Sequence, residues 1–243
     1  MKQISGSRKL SVTVLLAGLA ALALRMALYA AAVDAKGLLV RWHPLEIALT
    51  VLTLTVLAIL VPGVRKQEIP AGFETHLPAS LPGAFGSAAA GTGILLTVLA
   101  GSSPSGSYLD AAWQILGLAA PACFLLAGLA RVLGKKPFFL LHVVICLFFV
   151  LHIVTRYQLW SGNPQLQDYV FSLLGTMTLM FFGFYTAARE AGYGNYPIQL
   201  GMGLAAVYFC LGELARSSSP DLYLGGLLWV LTEIYAVTKP ETT

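Results

Sequence analysis

Long apolar stretches recur along this chain and constrain its fold more than any other feature. A helix needs about 20 apolar residues to cross the hydrocarbon core of a bilayer. About eight stretches of spanning or near-spanning length fit into the 243 residues. They indicate an all-α fold, a polytopic transmembrane helix bundle in which residues 1–243 form a single domain. The predicted spans are 10–33, 45–61, 81–101, 110–133, 137–158, 164–188, 197–215 and 222–237.

The composition excludes an ordinary soluble protein. Only 11% of the residues are charged and 57% are hydrophobic, whereas soluble domains carry about 25% charged residues. The formal net charge of +4 could point to nucleic acid, but the basic residues are scattered between apolar spans rather than clustered on one face. We therefore predict the lipid bilayer as the surroundings and no nucleic-acid partner.

The sequence contains no recognisable enzyme or metal motif. A Walker P-loop, HExxH and GxSxG are all missing, so no catalytic residue and no cofactor is predicted. Cys123, Cys146 and Cys210 lie in apolar segments without CxxC spacing, which argues against a metal site or a disulfide. Acid–base chemistry inside the membrane by His152 and Asp168 stays open as a minor alternative.

The distribution of basic residues orients the bundle. With eight spans and a cytoplasmic N-terminus, the inner side carries more Lys and Arg than the outer side, as the positive-inside rule requires. Both termini are then cytoplasmic, and the protein is expected in the plasma membrane. The inner set is Lys2, Arg8, Lys9, Arg65, Lys66, Arg131, Lys135, Lys136, Arg189 and Lys239, and the outer set is Lys36, Arg41, Arg156 and Arg216.

Aromatic residues agree with that orientation, because amphipathic rings favour the interface between membrane and water. Six of them are expected near the outer interface: Tyr108, Trp113, Tyr157, Trp160, Tyr169 and Tyr223. A cleaved signal peptide also begins with basic residues and an apolar run. The run 10–33 is too long for a signal peptide, and Arg25 interrupts it, so we interpret it as a span.

Ionisable residues inside the spans are the main functional signal. An arginine in hydrocarbon costs at least about 2.5–3.5 kcal/mol, so Arg25 needs a partner, a cavity or a route to the interface. Glu213 is the nearest acid in depth, and Arg216 competes for it. His152 and Arg156 share one face of the fifth span. In the sixth span one line carries Asp168, Ser172, Gly175, Leu179, Gly183, Thr186 and Glu190, beginning after the helix start expected at Asn163 and Pro164.

Two hypotheses account for the residues near the outer side. In the first they line an outward-facing pocket that binds or transports a small polar or anionic solute. In the second they form interhelical ion pairs and hydrogen bonds that only hold the bundle together. The proposed ligand-binding residues are Arg25, His152, Arg156, Gln165, Asp168, Ser172 and Glu213.

Two ionisable residues lie outside that group. His142 is expected to be a core histidine with no obvious partner, or else part of a proton path. Glu233 is expected to reach the inner interface, to pair with a basic loop residue, or to carry a proton.

A different class of function is a non-catalytic scaffold or sensor subunit. Gly83, Ser87 and Gly91 are spaced four residues apart, and such a stripe lets helix backbones approach closely. The stripe is expected at a helix interface, with another membrane protein as a possible partner.

The stretch Asn163-Pro164-Gln165-Leu166-Gln167-Asp168-Tyr169, with Leu173-Leu174, Tyr185 and Ala187-Ala188 after it, resembles a set of uncharacterised polytopic membrane proteins of anaerobic Gram-positive bacteria. The segment 34–43, with Gly37-Leu38-Leu39 inside it, resembles the same set more loosely. The resemblance implies a multi-pass protein of a bacterial inner (plasma) membrane and implies no activity.

Overall fold

A computed structural model describes residues 4–32, 42–67, 69, 73, 80–101, 108–160 and 169–238, with 4–8, 159–160 and 238 described by their backbone alone. These residues form eight α-helices, one short 3-10 helix and no strand. The helices are α1 (Ile4–Ala31), α2 (Pro44–Arg65), α3 (Leu81–Ala100), α4 (Tyr108–Val132), α5 (Phe139–Trp160), α6 (Val170–Glu190), α7 (Tyr196–Glu213) and α8 (Pro220–Thr238), and the 3-10 helix is Leu214–Arg216.

The predicted all-α membrane bundle is confirmed. Seven of the described helices, α1 to α7, are long and apolar enough to cross a membrane. The eighth, α8, contains Asp221 and Glu233 and packs beside α3, where Gly93 adjoins Asp221 and Gly86 adjoins Thr232. The chain is therefore a multi-pass integral membrane protein.

Helix bounds differ from the predicted spans mainly at the ends. The second span was expected to close before Pro62, but α2 continues through Pro62 to Arg65, so that prediction was wrong. Pro62 lacks the N–H that would bond to the carbonyl oxygen of Ala58, so the helix continues to Arg65 with one backbone hydrogen bond fewer. Helix α6 begins at Val170, and the start predicted at Asn163 and Pro164 lies outside the described residues.

Short polar residues begin three of the helices, as their sequences favour. The side chains of His43, Ser80 and Asn195 accept hydrogen bonds from the first-turn N–H groups of α2, α3 and α7. Each is followed within two residues by a proline, whose missing N–H is unneeded at that position. These caps fix where each helix enters the bundle.

Helices α3 to α8 form a closed ring, in which each contacts the next and α8 returns to α3. Large apolar side chains from the ring fill its centre, among them Phe124, Phe148, Phe182 and Trp229. Helices α1 and α2 pack on the outside of the ring, against α7. A second apolar cluster, which includes Leu60, lies at that contact. The bundle therefore has a packed core and one attached helix pair.

The stripe of Gly83, Ser87 and Gly91 is buried at a helix interface, as predicted. Its neighbour is α4 of the same chain: a Cβ on Gly91 would lie 3.2 Å from Cβ of Phe124. Because α4 covers the stripe within the described chain, its burial does not support a separate membrane protein as its partner.

Candidate functional site

Arg25 and Glu213 form a buried ion pair between α1 and α7. Nη1 of Arg25 donates to Oε2 of Glu213 at 2.8 Å and to the carbonyl oxygen of Gly212 at 3.0 Å. Nη2 donates to the hydroxyl of Tyr29 at 2.9 Å, and the guanidinium lies 4.6 Å from the ring centroid of Phe171. Arg25 was expected to need a partner, and Glu213, the acid expected at a similar depth, is that partner.

The other predicted residues at this level contact different neighbours. His152 accepts a hydrogen bond at Nδ1 from Nε1 of Trp113 at 3.2 Å. Arg156 donates to Oγ of Ser219 at 3.2 Å. Gln165 and Asp168 lie outside the described residues. Within the described chain a side-chain hydrogen bond joins Arg25 and Glu213 of the predicted set, and a pocket at this end stays a prediction.

Ser172 contacts Tyr223, one of the aromatic residues expected near the outer interface. Its hydroxyl lies 2.6 Å from that of Tyr223, which also lies 3.2 Å from Oγ1 of Thr176. Tyr223 is 2% exposed and Trp113 is 5% exposed. Each ring therefore packs inside the bundle, where its N–H or O–H group has a polar partner.

A second group of charged residues lies at the opposite end of the ring. We call it the His142 network, and it comprises Arg131, His142, Arg189, Glu190 and Glu233. Oε2 of Glu233 accepts from Nη2 of Arg131 at 2.5 Å and from Nη2 of Arg189 at 3.3 Å. Nδ1 of His142 lies 2.8 Å from Oε2 of Glu190.

This network corrects three predictions. Arg131 and Arg189 were expected in inner loops, but they lie in the last turns of α4 and α6 and are buried. His142 was expected to have no obvious partner and is paired with Glu190. Glu233 pairs with basic residues, as one expectation had it, although both belong to helices rather than loops.

Aromatic rings enclose the histidine. The imidazole of His142 stacks on Trp229, with centroids 6.0 Å apart and planes 17° from parallel. The ring of Phe124 meets it edge-on at 6.5 Å. The pair of His142 and Glu190 is therefore held between apolar walls, with low exposure to either solvent or lipid.

Gln199 of α7 extends the polar region. The hydroxyl of Thr186 donates to the carbonyl oxygen of Phe182, so Gln199 donates to Thr186 from Nε2 at 3.0 Å. With Nε2 of Gln199 bonded to Thr186, the amide oxygen Oε1 remains available to accept a hydrogen bond. A cavity beside it has an interior of about 10 Å³, room for about one water molecule. It is lined by Phe73, Phe182, Tyr196, Gln199, Leu200, Glu233, Ile234 and Val237.

Four buried side-chain atoms in the described residues lack a hydrogen-bond partner, and all belong to residues of this region. They are two donors, Nε of Arg189 and Nε1 of Trp229, and two acceptors, Oε1 of Glu190 and Oε1 of Gln199. A buried polar atom without a partner costs about 1–3 kcal/mol. Of the four residues Gln199 lines the cavity, where one water molecule would satisfy its acceptor.

These features define the class: an all-helical, multi-pass integral membrane protein with ionisable residues buried at both ends of its bundle. Comparisons of the chain with protein-family models, with curated proteins and with solved structures give no match.

Proposed function

We propose that the protein binds a small polar solute inside the bundle and moves it across the membrane, with the His142 network and the adjoining cavity as its site. One observation carries the proposal. Five ionisable side chains from four helices, none more than 5% exposed, cluster inside the bundle, and one of them, Glu233, lines a cavity. Buried ionisable residues in membrane bundles are costly and commonly mark solute pathways or proton relays.

The charges of the network favour a particular kind of solute. With His142 neutral, Arg131 and Arg189 are balanced by Glu190 and Glu233. A balanced site gives no general preference for an ion of either sign. Gln199 lines the cavity and has an unpartnered acceptor, Oε1, and Glu233 adds a carboxylate; together they suit a neutral or zwitterionic molecule that donates hydrogen bonds.

The sequence hypothesis of an outward-facing pocket supplies a second candidate site. It is supported by the burial of Arg25, whose charge lies among helices rather than at the membrane surface. A solute that binds there has to separate Arg25 from Glu213, because the two side chains are now in contact at 2.8 Å.

A thermal-shift assay on the purified protein tests both sites. Amino acids, small amides, organic anions and lipids are added to the wild type and to three variants, Q199L, S172A and R25A. We expect at least one solute to raise Tm in the wild type, because a ligand that binds the folded state stabilises it, by about 2.7 kcal/mol at 100 times Kd. That shift should vanish in Q199L and persist in S172A.

Each other outcome is informative. Loss of the shift in S172A and R25A, with retention in Q199L, would move the site to the Arg25 end. A wild type that no compound stabilises would overturn solute binding. Uptake into proteoliposomes by the solute that binds then tests transport.

The proposed location is a bacterial plasma membrane. The sequence resemblance supports this location, and the excess of basic residues expected on one side supports cytoplasmic termini. Membrane fractionation of a native host, with antibody detection of the chain, tests it.

A further inference from the structure

We propose that His142 and Glu190 form a proton-binding site shared between α5 and α6. Nδ1 of the imidazole and Oε2 of the carboxylate are 2.8 Å apart, and both residues are buried. A ring nitrogen without hydrogen and a carboxylate oxygen would both present lone pairs, so one proton must lie between them at this distance. Neutral His142 therefore carries its proton on Nδ1.

The pair has two further places for a second proton. One is Nε2 of His142, which would give an imidazolium beside a carboxylate. The other is Oε1 of Glu190, which is buried and has no hydrogen-bond partner. In either form one proton is taken up from water, one N–H or O–H bond is made, and the pair gains one positive charge. Because the two groups are in contact, the proton belongs to the pair rather than to one residue.

The surroundings accommodate this change of charge. The indole of Trp229 stacks on His142, and an aromatic face stabilises a cation placed over it. From α8, Glu233 adds a carboxylate, and its own partners are Arg131 from α4 and Arg189 from α6. Phe124 from α4 contributes an uncharged wall.

The pair of His142 and Glu190 is linked to the cavity through Arg189 and Glu233. Arg189 precedes Glu190 in α6, and its guanidinium binds Glu233, which lines the cavity. A charge gained by the pair therefore acts on the residue that borders the proposed solute. Proton binding by this pair does not depend on the proposed function. A role of the proton in driving transport does depend on it.

Nitrogen-15 NMR of labelled histidine in lipid nanodiscs tests the site. The chain has four histidines, and variants H142Q and H152Q assign the two buried signals. We expect His142 to carry its proton on Nδ1 at pH 8 and to respond as the pH is lowered to 5. His152 is an internal control with the opposite tautomer, because its Nδ1 accepts from Trp113 and its proton must be on Nε2.

Variant E190Q supplies the decisive comparison, because it keeps the size of the side chain and removes its charge. The His142 titration should shift in E190Q, while the His152 signal stays unchanged. Infrared difference spectra between pH 8 and pH 5 detect the alternative form, a carboxylic acid band that E190Q abolishes. If H142Q fails to fold, H152Q together with the remaining histidine variants assigns the signal.

The proposal is overturned if the His142 signal is unchanged from pH 5 to pH 8 and no infrared band is lost in E190Q. It is also overturned if His142 carries its proton on Nε2 at pH 8. A solute panel that gives no thermal shift would end the proposed function and leave this result standing, so the two failures are distinguishable.

Discussion

Nη1 of Arg25 lies 2.8 Å from Oε2 of Glu213, which is 188 positions further along the chain. The contact fastens α1 to α7, and both side chains are almost completely buried. Loss of Arg25 leaves the buried carboxylate of Glu213 without its ion-pair partner, and loss of Glu213 removes the carboxylate that Arg25 binds. Breaking such a buried pair costs about 3–5 kcal/mol. We expect R25M and E213L each to lower the free energy of unfolding by about that amount. Denaturant titration of the purified protein in detergent measures it.

The double variant R25M/E213L decides whether the loss comes from the unpaired charge. It should recover a large part of the stability lost in either single variant, because no buried charge remains. Strictly additive losses would contradict this explanation. R216Q is the matched control, since Arg216 is exposed and stacks on Tyr29 near the same pair.

Tyr223 supplies a second prediction. Y223F removes the hydroxyl that contacts Ser172 and Thr176 while it keeps the ring in the core. Interhelical hydrogen bonds in membrane proteins contribute about 0.6–1.7 kcal/mol. We expect a loss in that range by denaturant titration. Y157F, at a tyrosine that is 52% exposed, should leave stability unchanged, and an equal loss in both variants would contradict the assignment.

The close packing at Gly93 predicts that G93A lowers stability more than G201A does. A Cβ at Gly93 would overlap the carbonyl oxygen of Asp221, and backbone cannot move aside as a flexible side chain can. We expect G93A to lower Tm by several degrees or to prevent folding, because overpacking costs about 1–3 kcal/mol. In G201A the new methyl group would lie 3.6 Å from Cγ1 of Val64, an ordinary contact. Equal Tm values for the two variants would show that α3 and α8 can separate without loss.

Glu233 should contribute more to the stability of the folded protein than Glu213, the other buried acid that pairs with arginine. Its carboxylate binds two guanidinium groups, of Arg131 and Arg189, whereas Glu213 binds one. E233Q leaves two arginines with a weaker acceptor, so we expect it to destabilise the protein more than E213Q. Parallel denaturant titrations of the two variants measure the difference. A smaller effect for E233Q would indicate that the arginines find other partners.

Hydrophobicity alone predicts the architecture of this chain well. A helix in lipid must satisfy its own backbone, so an apolar stretch of sufficient length has little choice of structure. The contact between Arg25 and Glu213 was also foreseeable, because few charges share that depth in the bundle.

The His142 network was not foreseeable in the same way. Its contacts join α4, α5, α6 and α8, and their arrangement depends on the ring. Arg131 and Arg189 resemble loop residues because they stand at the ends of apolar runs, where positive charge usually marks topology. One signal did exist: Glu190 continues the buried line of Ser172, Gly183 and Thr186, and so had to face the interior.

The burial of Trp113 and Tyr223 inside the bundle was not foreseeable for a related reason. An aromatic ring with one polar atom suits a membrane surface, and it suits a buried position equally if a partner is present. His152 and Ser172 are those partners, and they come from other helices. Sequence position gave the depth of each ring and could not give the direction in which it points.

Gly86, Gly93 and Gly225 bring α3 and α8 together so closely that even a methyl group finds no space between them. Helices packed this closely resist sliding and rotation relative to each other, because a displacement would bring their backbones into steric overlap. If solute passage requires the bundle to open and close, we expect these two helices to stay together as the fixed frame. We then expect the moving helices to be those that contact each other through larger side chains, where rotamers can change and the backbone has room to shift.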